Sequence, residues 1–497
     1  MAVDSQHEEY SKNLTKWLLV RDCDEGSQAV KSRSAGSTNS GTLNGLAGTA
    51  YLPAPNANDN SQENTQRYYA YKQRANFVNF TAHTKEGLTG LVFRRKTSIE
   101  APTDIEYLID NANGDGLTTD QMIKNATNEV LMIGRYGMLV DYPEAPQGLT
   151  DAEVRAMELQ ANILSYPAES VINWRSEMVG GVKKLTLVVL KEPRETTKDG
   201  FEYTTVCYHR VLLLKDIDGN MTYVQNLYDD NGEMVVWKVG EDNEGDIVTG
   251  DIIPRKSDGS MWSEIPFTFI GSVNNDAVVD KAPLYDIAEI NISHYRNSAD
   301  YEESSFMVGQ PTPVLAGLTP SWVKDVLKEK VGLGSRAAIM LPENGSADLL
   351  QANENQMPKA GMEIKEQQMM KVGANIIQDV GGNETVDAVK IRFTGQNSKL
   401  GSIIQNVEAA FLQCYMWAQE FMGGTGDSVI TINKEFYDAT LDPQLIIAQI
   451  QLLDRGIIAT NDLRDNLRSG NIIKADRTNE DIEGEAEIGV MAGDFSE

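Results

Sequence analysis

The chain has 497 residues, and its 44 Lys and Arg against 73 Asp and Glu give a formal net charge of −29. A 41% hydrophobic share suffices for several packed cores and excludes a disordered chain, while the acidic excess argues against a surface built to grip phosphate backbones. Cys23, Cys207 and Cys414 are odd in number and far apart, so they form neither a disulfide framework nor a CxxC metal knuckle, and a reducing compartment fits. The first thirty residues carry Asp4, Glu8, Glu9, Asp22, Asp24 and Glu25 with no apolar signal core. No uncharged apolar run approaches the roughly 18 residues of a membrane span, so a soluble protein without a signal peptide is expected.

Residues 34–61 are rich in Ser, Gly, Asn and Pro, with Asp59 the only charge, which is the composition of an extended arm with little regular structure. From Gln66 onward, Tyr69, Phe77, Phe80, Thr84 and Leu88 fall at helical spacings and Gly90 stands near the end, predicting one long amphipathic helix. Thr118 and Gln121 have the spacing of a capping box, opening a helix whose apolar face includes Ile123, Val130 and Ile133. Between Tyr136 and Pro283 the runs GMLVDY, KKLTLVVL, YTTVCYHRVLLL, MTYVQNLY and EMVVWKV, separated by Asp, Gly and Asn turns, predict a sheet region.

The segment Ala282–Leu318 contains a helix in which Leu284, Ile287, Ala288, Asn291, Tyr295, Ser298 and Ala299 share one face. Such a face, small and polar rather than Leu-rich, is expected to pack closely yet stay wet, as in a channel wall. TPVLAGL then predicts a strand, PSWVKDVLKEK a short helix, and AAIMLPENGSADLLQAN two strands turning near Asn344 and Gly345. A second polar helix, MPKAGMEIKEQQMMKVGANIIQ, follows, with Lys359, Lys365 and Lys371 interleaved with Glu363 and Glu366. After a Gly381–Gly382 break, a helix beginning near Ser398 carries Leu400, Ile403, Ile404, Val407, Phe411, Cys414, Ala418 and Phe421 at offsets 0, 3, 4, 7, 11, 14, 18 and 21, the strongest amphipathic pattern in the chain. Near the end come a short strand, a helix starting at Pro443 with Ile446, Ile450, Leu453 and Ile457 as its stripe, and another capped by Thr460 or Asn461. Beyond Asn471 eight acidic residues outnumber Lys474 and Arg477, the composition of a mobile end.

INISHYRNSADYEESSF followed by GQPTPVLAGL, in this order of elements, resembles the portal proteins of tailed double-stranded DNA bacteriophages, which form rings around the DNA entrance of the capsid. The resemblance covers the chain from RYYAYKQRANFVNFTAHTKEGLTGLVFRR to the terminal helices, with the 34–61 arm as an insertion. It implies an α+β portal fold: residues 1–282 as the N-terminal part of the wing, 283–308 and 357–378 as the two stem helices, 309–356 as the clip, 379–426 as the tunnel loop and long wing helix, and 427–497 as the crown with its acidic tail. It further implies a dodecameric ring at one capsid vertex of the virion, assembled in the host cytoplasm. Through that ring DNA is packaged and ejected, and it docks the terminase large subunit and then adaptor or head-completion proteins. Major capsid and scaffolding proteins are the further partners implied, with transient contact to double-stranded DNA and no membrane. By the same resemblance Asp379, Gly381, Gly382, Asn383 and Glu384 belong to the tunnel loop, and Lys359, Lys365, Lys371, Lys390 and Arg392 are the basic groups nearest the channel.

No residue pattern offers catalysis or a cofactor site. Asn111, Asn113, Asp115 and Gly116 mimic positions 1, 3, 5 and 6 of a calcium loop, but position 12 is Met122, which has no oxygen to complete the shell. His7, His83, His209 and His294 lack the spacing of a zinc site, and GxSxG, Walker A and strand-flanked GxGxxG motifs are absent. A non-enzymatic structural protein without metal is therefore expected. The alternatives are a cytoplasmic metal-dependent hydrolase or an acidic adaptor protein, and oligomer size distinguishes the three.

Overall fold

The computed structural model describes residues 3–34, 49–143, 157, 159–197, 200–235, 251–309, 312–326, 340–350, 356–377, 399–434, 436, 449–453, 455–457, 459–469, 473, 477–479 and 482–483. The chain divides into two compact units. The larger comprises Met1–Gly90, Thr97–Gly382 and Asn397–Thr431, and the smaller Leu91–Lys96, Asn383–Gln396 and Ile432–Glu497.

The larger unit opens with α1 (Glu8–Glu25), whose Tyr10, Trp17, Val20 and Cys23 are buried on one side, and α2 (Ser27–Ser32). Charges interrupt the apolar positions of α1, so periodicity does not announce it. Two helices, α3 (Gln62–Arg74) and α4 (Phe80–Val92), stand where one was expected. Residues 75–79 leave the helical path, and Asn79 caps the second helix, its Oδ1 accepting from the Ala82 amide at 2.9 Å. The break moves the inward face of α3: Tyr68 and Tyr71 are buried, while Tyr69 is 57% exposed. Residues 49–61 form no helix or strand, as expected of the arm, but they are not loose. Tyr51 and Leu52 are buried, and the Tyr51 hydroxyl donates to the buried Asp22 at 2.5 Å, beside the Arg33–Asp22 ion pair.

The expected capping box is present. Thr118 Oγ1 accepts from the Gln121 amide, and Gln121 Oε1 accepts from the Thr118 amide, at the start of α5 (Thr119–Ile133), where Ile123, Val130 and Ile133 are buried. The calcium-like loop before it spends its side chains locally: Asn111 Oδ1 accepts from Gly116, Asn113 Oδ1 accepts from Asp115 and Leu117, and Met122 is buried. α5 ends at Gly134 in the left-handed conformation and runs straight into β2 (Arg135–Asp141).

β2 is the middle of a three-stranded antiparallel sheet between β3 (Asn162–Pro167) and β9 (Phe267–Gly271), the strand that closes the sheet region. The other sheet is a meander of β4 (Val171–Val179), β5 (Val182–Thr197), β6 (Tyr203–Ile217), β7 (Asn220–Tyr228) and β8 (Met234–Val235), which includes the predicted runs KKLTLVVL, YTTVCYHRVLLL and MTYVQNLY and the start of EMVVWKV, whose residues 236–239 lie outside the described residues. A polar network ties the sheets together. Arg210 donates to Asp141 at 2.6 Å and to Glu192 at 2.7 Å, and the Tyr166 hydroxyl donates to Glu192 at 2.7 Å. Burial pushes the Glu192 carboxyl up, but Arg210, Arg194 and Tyr166 outweigh it and hold the group below its ordinary range. Nearby, the Arg135 guanidinium lies between the Trp174 and Phe269 rings, at 4.3 and 3.6 Å, and burial pushes its pKa down to about 9.

A short strand, β1 (Ser98–Glu100), pairs with β12 (Val429–Thr431), the strand expected near the end of the chain. In the smaller unit, α10 (Thr460–Ser469) begins at Thr460, with Asp462 rather than Thr460 or Asn461 accepting the preceding Ala459 amide, at 2.8 Å. The stripe expected around it is open in the described residues: Ile450 is 43% and Ile457 65% exposed, and Ile446 and Pro443 lie outside them. No helix among the described residues is long and apolar enough to cross a membrane. All three cysteines are free.

The α5–β2 corner gives a sharp test. Gly134 has φ +77°, and a Cβ there would stand 2.7 Å from the Lys281 carbonyl oxygen. Gly134→Ala is expected to lower unfolding stability by about 2 kcal/mol or more in urea titration, since left-handed strain adds to a backbone clash. Gly181→Ala, also left-handed but in open space, is expected to cost about 1 kcal/mol.

Candidate functional site

The candidate site is the helix pair and the compact insert between its members. α6 (Tyr285–Gly309) has 25 residues and α8 (Met357–Ile377) has 21, giving lengths of about 37 and 31 Å at 1.5 Å per residue. Between them, β10 (Thr312–Ala316) pairs antiparallel with β11 (Ser346–Leu350), and α7 (Pro320–Asp325) is capped by Thr319. Only the second strand of the expected hairpin is among the described residues. SADLL pairs with TPVLA, and the turn at Asn344–Gly345 returns the chain to that strand; 337–339 of AAIM lie outside the described residues. Gly317, against the Asn344 carbonyl, allows this close approach.

The face of α6 expected to stay wet is dry. Leu284, Ile287, Ala288, Asn291, Tyr295 and Ala299 are fully covered and Ser298 is 3% exposed. Two of its polar groups, Asn291 and Ser298, bond to backbone between residues 76 and 81. Asn291 Oδ1 accepts from the amides of Phe80 and Thr81 at 3.1 and 3.2 Å and from the Thr81 hydroxyl at 3.1 Å, while its Nδ2 donates to the Val78 carbonyl at 2.8 Å. Ser298 Oγ accepts from the Asn76 amide at 2.8 Å. These bonds bind the 75–79 break and the orphan amides at the start of α4, which explains why a buried helix face carries Asn and Ser. Further along, the Tyr71 hydroxyl donates to Asp300 at 2.7 Å, Arg74 pairs with Glu303, and Arg296 Nε donates to the Tyr51 carbonyl at 2.8 Å. Much of what reads as surface charge on α6 is thus spent inside the chain.

α8 runs antiparallel to α6, because the points of approach rise in number on one helix as they fall on the other. Gly373 faces Ile287, Lys365 and Glu366 meet Ser293 and His294, and Gly361 faces Asn297. Glycine costs about 1 kcal/mol in a helix interior, and here the two glycines admit neighbouring side chains. Met369 and Ile376 are buried beneath the pair.

Lys359 and Lys371 are exposed on α8, whereas Lys365 is half-buried and donates to the Ser293 carbonyl at 3.0 Å. Burial, with Arg296 nearby, lowers the Lys365 pKa. Lys390 and Arg392, and the loop residues Asp379, Gly381, Gly382, Asn383 and Glu384, lie outside the described residues. The helix that follows them, α9 (Lys399–Met422), buries all eight positions of its predicted stripe and is pinned at polar points: Tyr415 to Thr119 at 2.7 Å, Asn406 to the Gly271 carbonyl at 2.9 Å and Trp417 to Glu264 at 2.8 Å.

A separate open groove of about 400 Å³ is lined by Glu100, Pro102, Asp104, Thr425 and Asp427. Among the described residues no group of three or more His, Cys, Asp or Glu is arranged to hold a metal ion.

A family model described as "Domain of unknown function (DUF4055)" matches residues 283–422, from just before α6 to the last residue of α9. No curated protein matches the chain. Among solved structures, one titled "Virion of native gene transfer agent (GTA) particle" is similar at TM-score 0.38 and 12% identity, covering 80% of this chain and 92% of the other. Another, titled "Neck of empty GTA particle computed with C6 symmetry", has TM-score 0.39 and 12% identity with the same coverage. Likenesses this faint fix neither fold nor role. The family match does mark the helix pair, its insert and α9 as one recurring stretch of sequence.

The two glycines of α8 are not equivalent. A Cβ at Gly373 would meet Thr84 Cγ2 at 3.2 Å and Ile287 at 3.7 Å, whereas at Gly361 it would meet only the movable Asn297 amide, at 2.5 Å. Gly373→Leu is expected to speed proteolysis within α8 about tenfold or more, as overpacking of roughly 1–3 kcal/mol implies. Gly361→Ala should leave the rate within about twofold of wild type, its small gain in helix propensity set against one side-chain shift.

Proposed function

We propose that the chain is the subunit of a portal: a ring of about twelve copies at one capsid vertex, through which DNA enters during packaging and leaves at infection. The observation that carries this reading is the antiparallel pair of long helices joined by a compact αβ insert and followed by a long buried helix, the order that the INISHYRNSADYE resemblance implies for stem, clip and wing. In this reading 309–356 is the clip that meets the terminase large subunit and then adaptor or head-completion proteins. Residues 1–282 and 399–426 brace the ring, 379–392 approach the DNA, and 427–497 form the crown. Major capsid and scaffolding proteins surround it.

One feature of the helix pair and one of the whole chain support the reading. The first is the pair's burial on a single side, which leaves Met357 at 79%, Ile364 at 56% and Met370 at 63% exposed on α8, apolar area that neighbouring copies would cover. The other is the net charge of −29, which repels a polyanion and lets it slide. Lys359 and Lys371 then serve as the exposed, transient phosphate contacts on α8, with Lys390 and Arg392 alongside; Lys365, held by Ser293, contributes less.

The test is the native mass of the purified chain by light scattering. A species of about twelve subunits is expected, by the closed symmetry a channel requires. A stable dimer or tetramer would overturn the proposal.

A further inference from the structure

His294 lies midway along α6, where α4 and α8 both reach it. It is 3% exposed. Its ring stands edge-on to Phe80, 5.8 Å between centroids, and its Nε2 is 3.3 Å from Glu366 Oε1 on α8. Its Nδ1 is buried and has no hydrogen-bond partner among the described residues. The neutral ring fits this setting in one way: Nε2–H donates to Glu366, and Nδ1 keeps a bare lone pair. A second proton would place an N–H at Nδ1 where nothing accepts it, leaving a buried donor unsatisfied.

We propose that His294 is an acid-sensitive joint: the neutral imidazole holds α8 against α6 and α4, and protonation loosens α8 so that the ring can reach water. The proposal concerns contacts within one chain. If the pair lines a channel, as proposed above, acidity acts on the channel wall; the joint itself stands or falls whether or not rings form.

The charges around the ring agree. Glu366 attracts the proton, but its side chain is 42% exposed and water screens it, while Lys365 on the same turn of α8 opposes protonation. On α4 the ring meets Phe80, and the charged groups of that helix are engaged elsewhere, Lys85 with Asp24 and the exposed His83 beside Glu86. On α6 itself the nearest cation along the helix is Arg296, bonded to the Tyr51 carbonyl. Burial, the largest influence, lowers the His294 pKa below its ordinary 6.5. The sign follows: the joint is intact above about 6.5 and weakens as pH falls from there toward the depressed value, because the released ring takes up the proton that the buried ring refuses.

Hydrogen exchange read by mass spectrometry on the full chain tests this, with rates corrected for intrinsic chemistry between about pH 7 and pH 5. Protection of Met357–Ile377 is expected to fall about tenfold over that range, as one buried donor left unsatisfied implies, while Lys399–Met422 keeps its protection. In His294→Gln, whose amide still donates to Glu366 but does not titrate, α8 protection should be flat with pH. In Glu366→Gln, which removes the charge that favours protonation of the buried ring, the fall should keep its onset near 6.5 and become deeper. An equal fall in His294→Gln, no fall in wild type, or a parallel fall in Lys399–Met422 would each overturn the proposal.

Discussion

The fold turns on one buried amide. Asn291 supplies an acceptor to three donors and a donor to one carbonyl, all within residues 78–81, and so fixes where α4 starts relative to α6. Without it the buried Thr81 amide would lose its acceptor, at a cost of roughly 1–3 kcal/mol, and the Phe80 amide would keep only the Val78 carbonyl. Because α4 is held there, Phe80 lies against His294 and Thr84 against Gly373, and α8 has a surface to meet. The position of the helix pair is therefore set by polar hooks as much as by apolar area.

The same logic recurs through the larger unit. Arg210 joins the two sheets through carboxylates from different strands, and Asp22 receives both Tyr51 and Arg33 where residues 49–61 fold back. Tyr415 pins α9 through Thr119, and Asn406 pins it through the Gly271 carbonyl and the Asn275 amide. Such groups add little net energy when satisfied but forbid alternatives, since any shift leaves them unpaired in a low-dielectric interior. A chain that must present one helix pair in a fixed pose gains specificity from them.

How legible this was in the sequence depended on whether a pattern reports local or distant partners. The capping box at Thr118, the stripe of α9 and the strand runs from 183 onward are local regularities, and they stand where the sequence put them. The break between α3 and α4 was hidden, because Phe77, Phe80, Thr84 and Leu88 keep helical spacing across it and the cause, Asn291, is some two hundred residues away. Asn291 and Ser298 were visible as polar members of an apolar stripe; reading them as wet assigned to solvent what belongs to buried backbone. The pairing of β10 with β11 likewise skips an intervening helix, which no short-range turn signal encodes. Of the basic groups, spacing alone could not separate the exposed Lys359 and Lys371 from Lys365, whose ammonium is taken by Ser293.

Hydrogen bonding by Asn291, and not apolar packing of that face, holds α4 and the helix pair in place. Urea unfolding of Asn291→Leu tests it directly, because leucine is the better helix former and the more apolar side chain, and packing alone would favour it. The prediction is a loss of about 1 to 3 kcal/mol, from the buried Thr81 amide left without its acceptor while the Phe80 amide keeps the Val78 carbonyl. A variant as stable as wild type, or more so, would contradict the account.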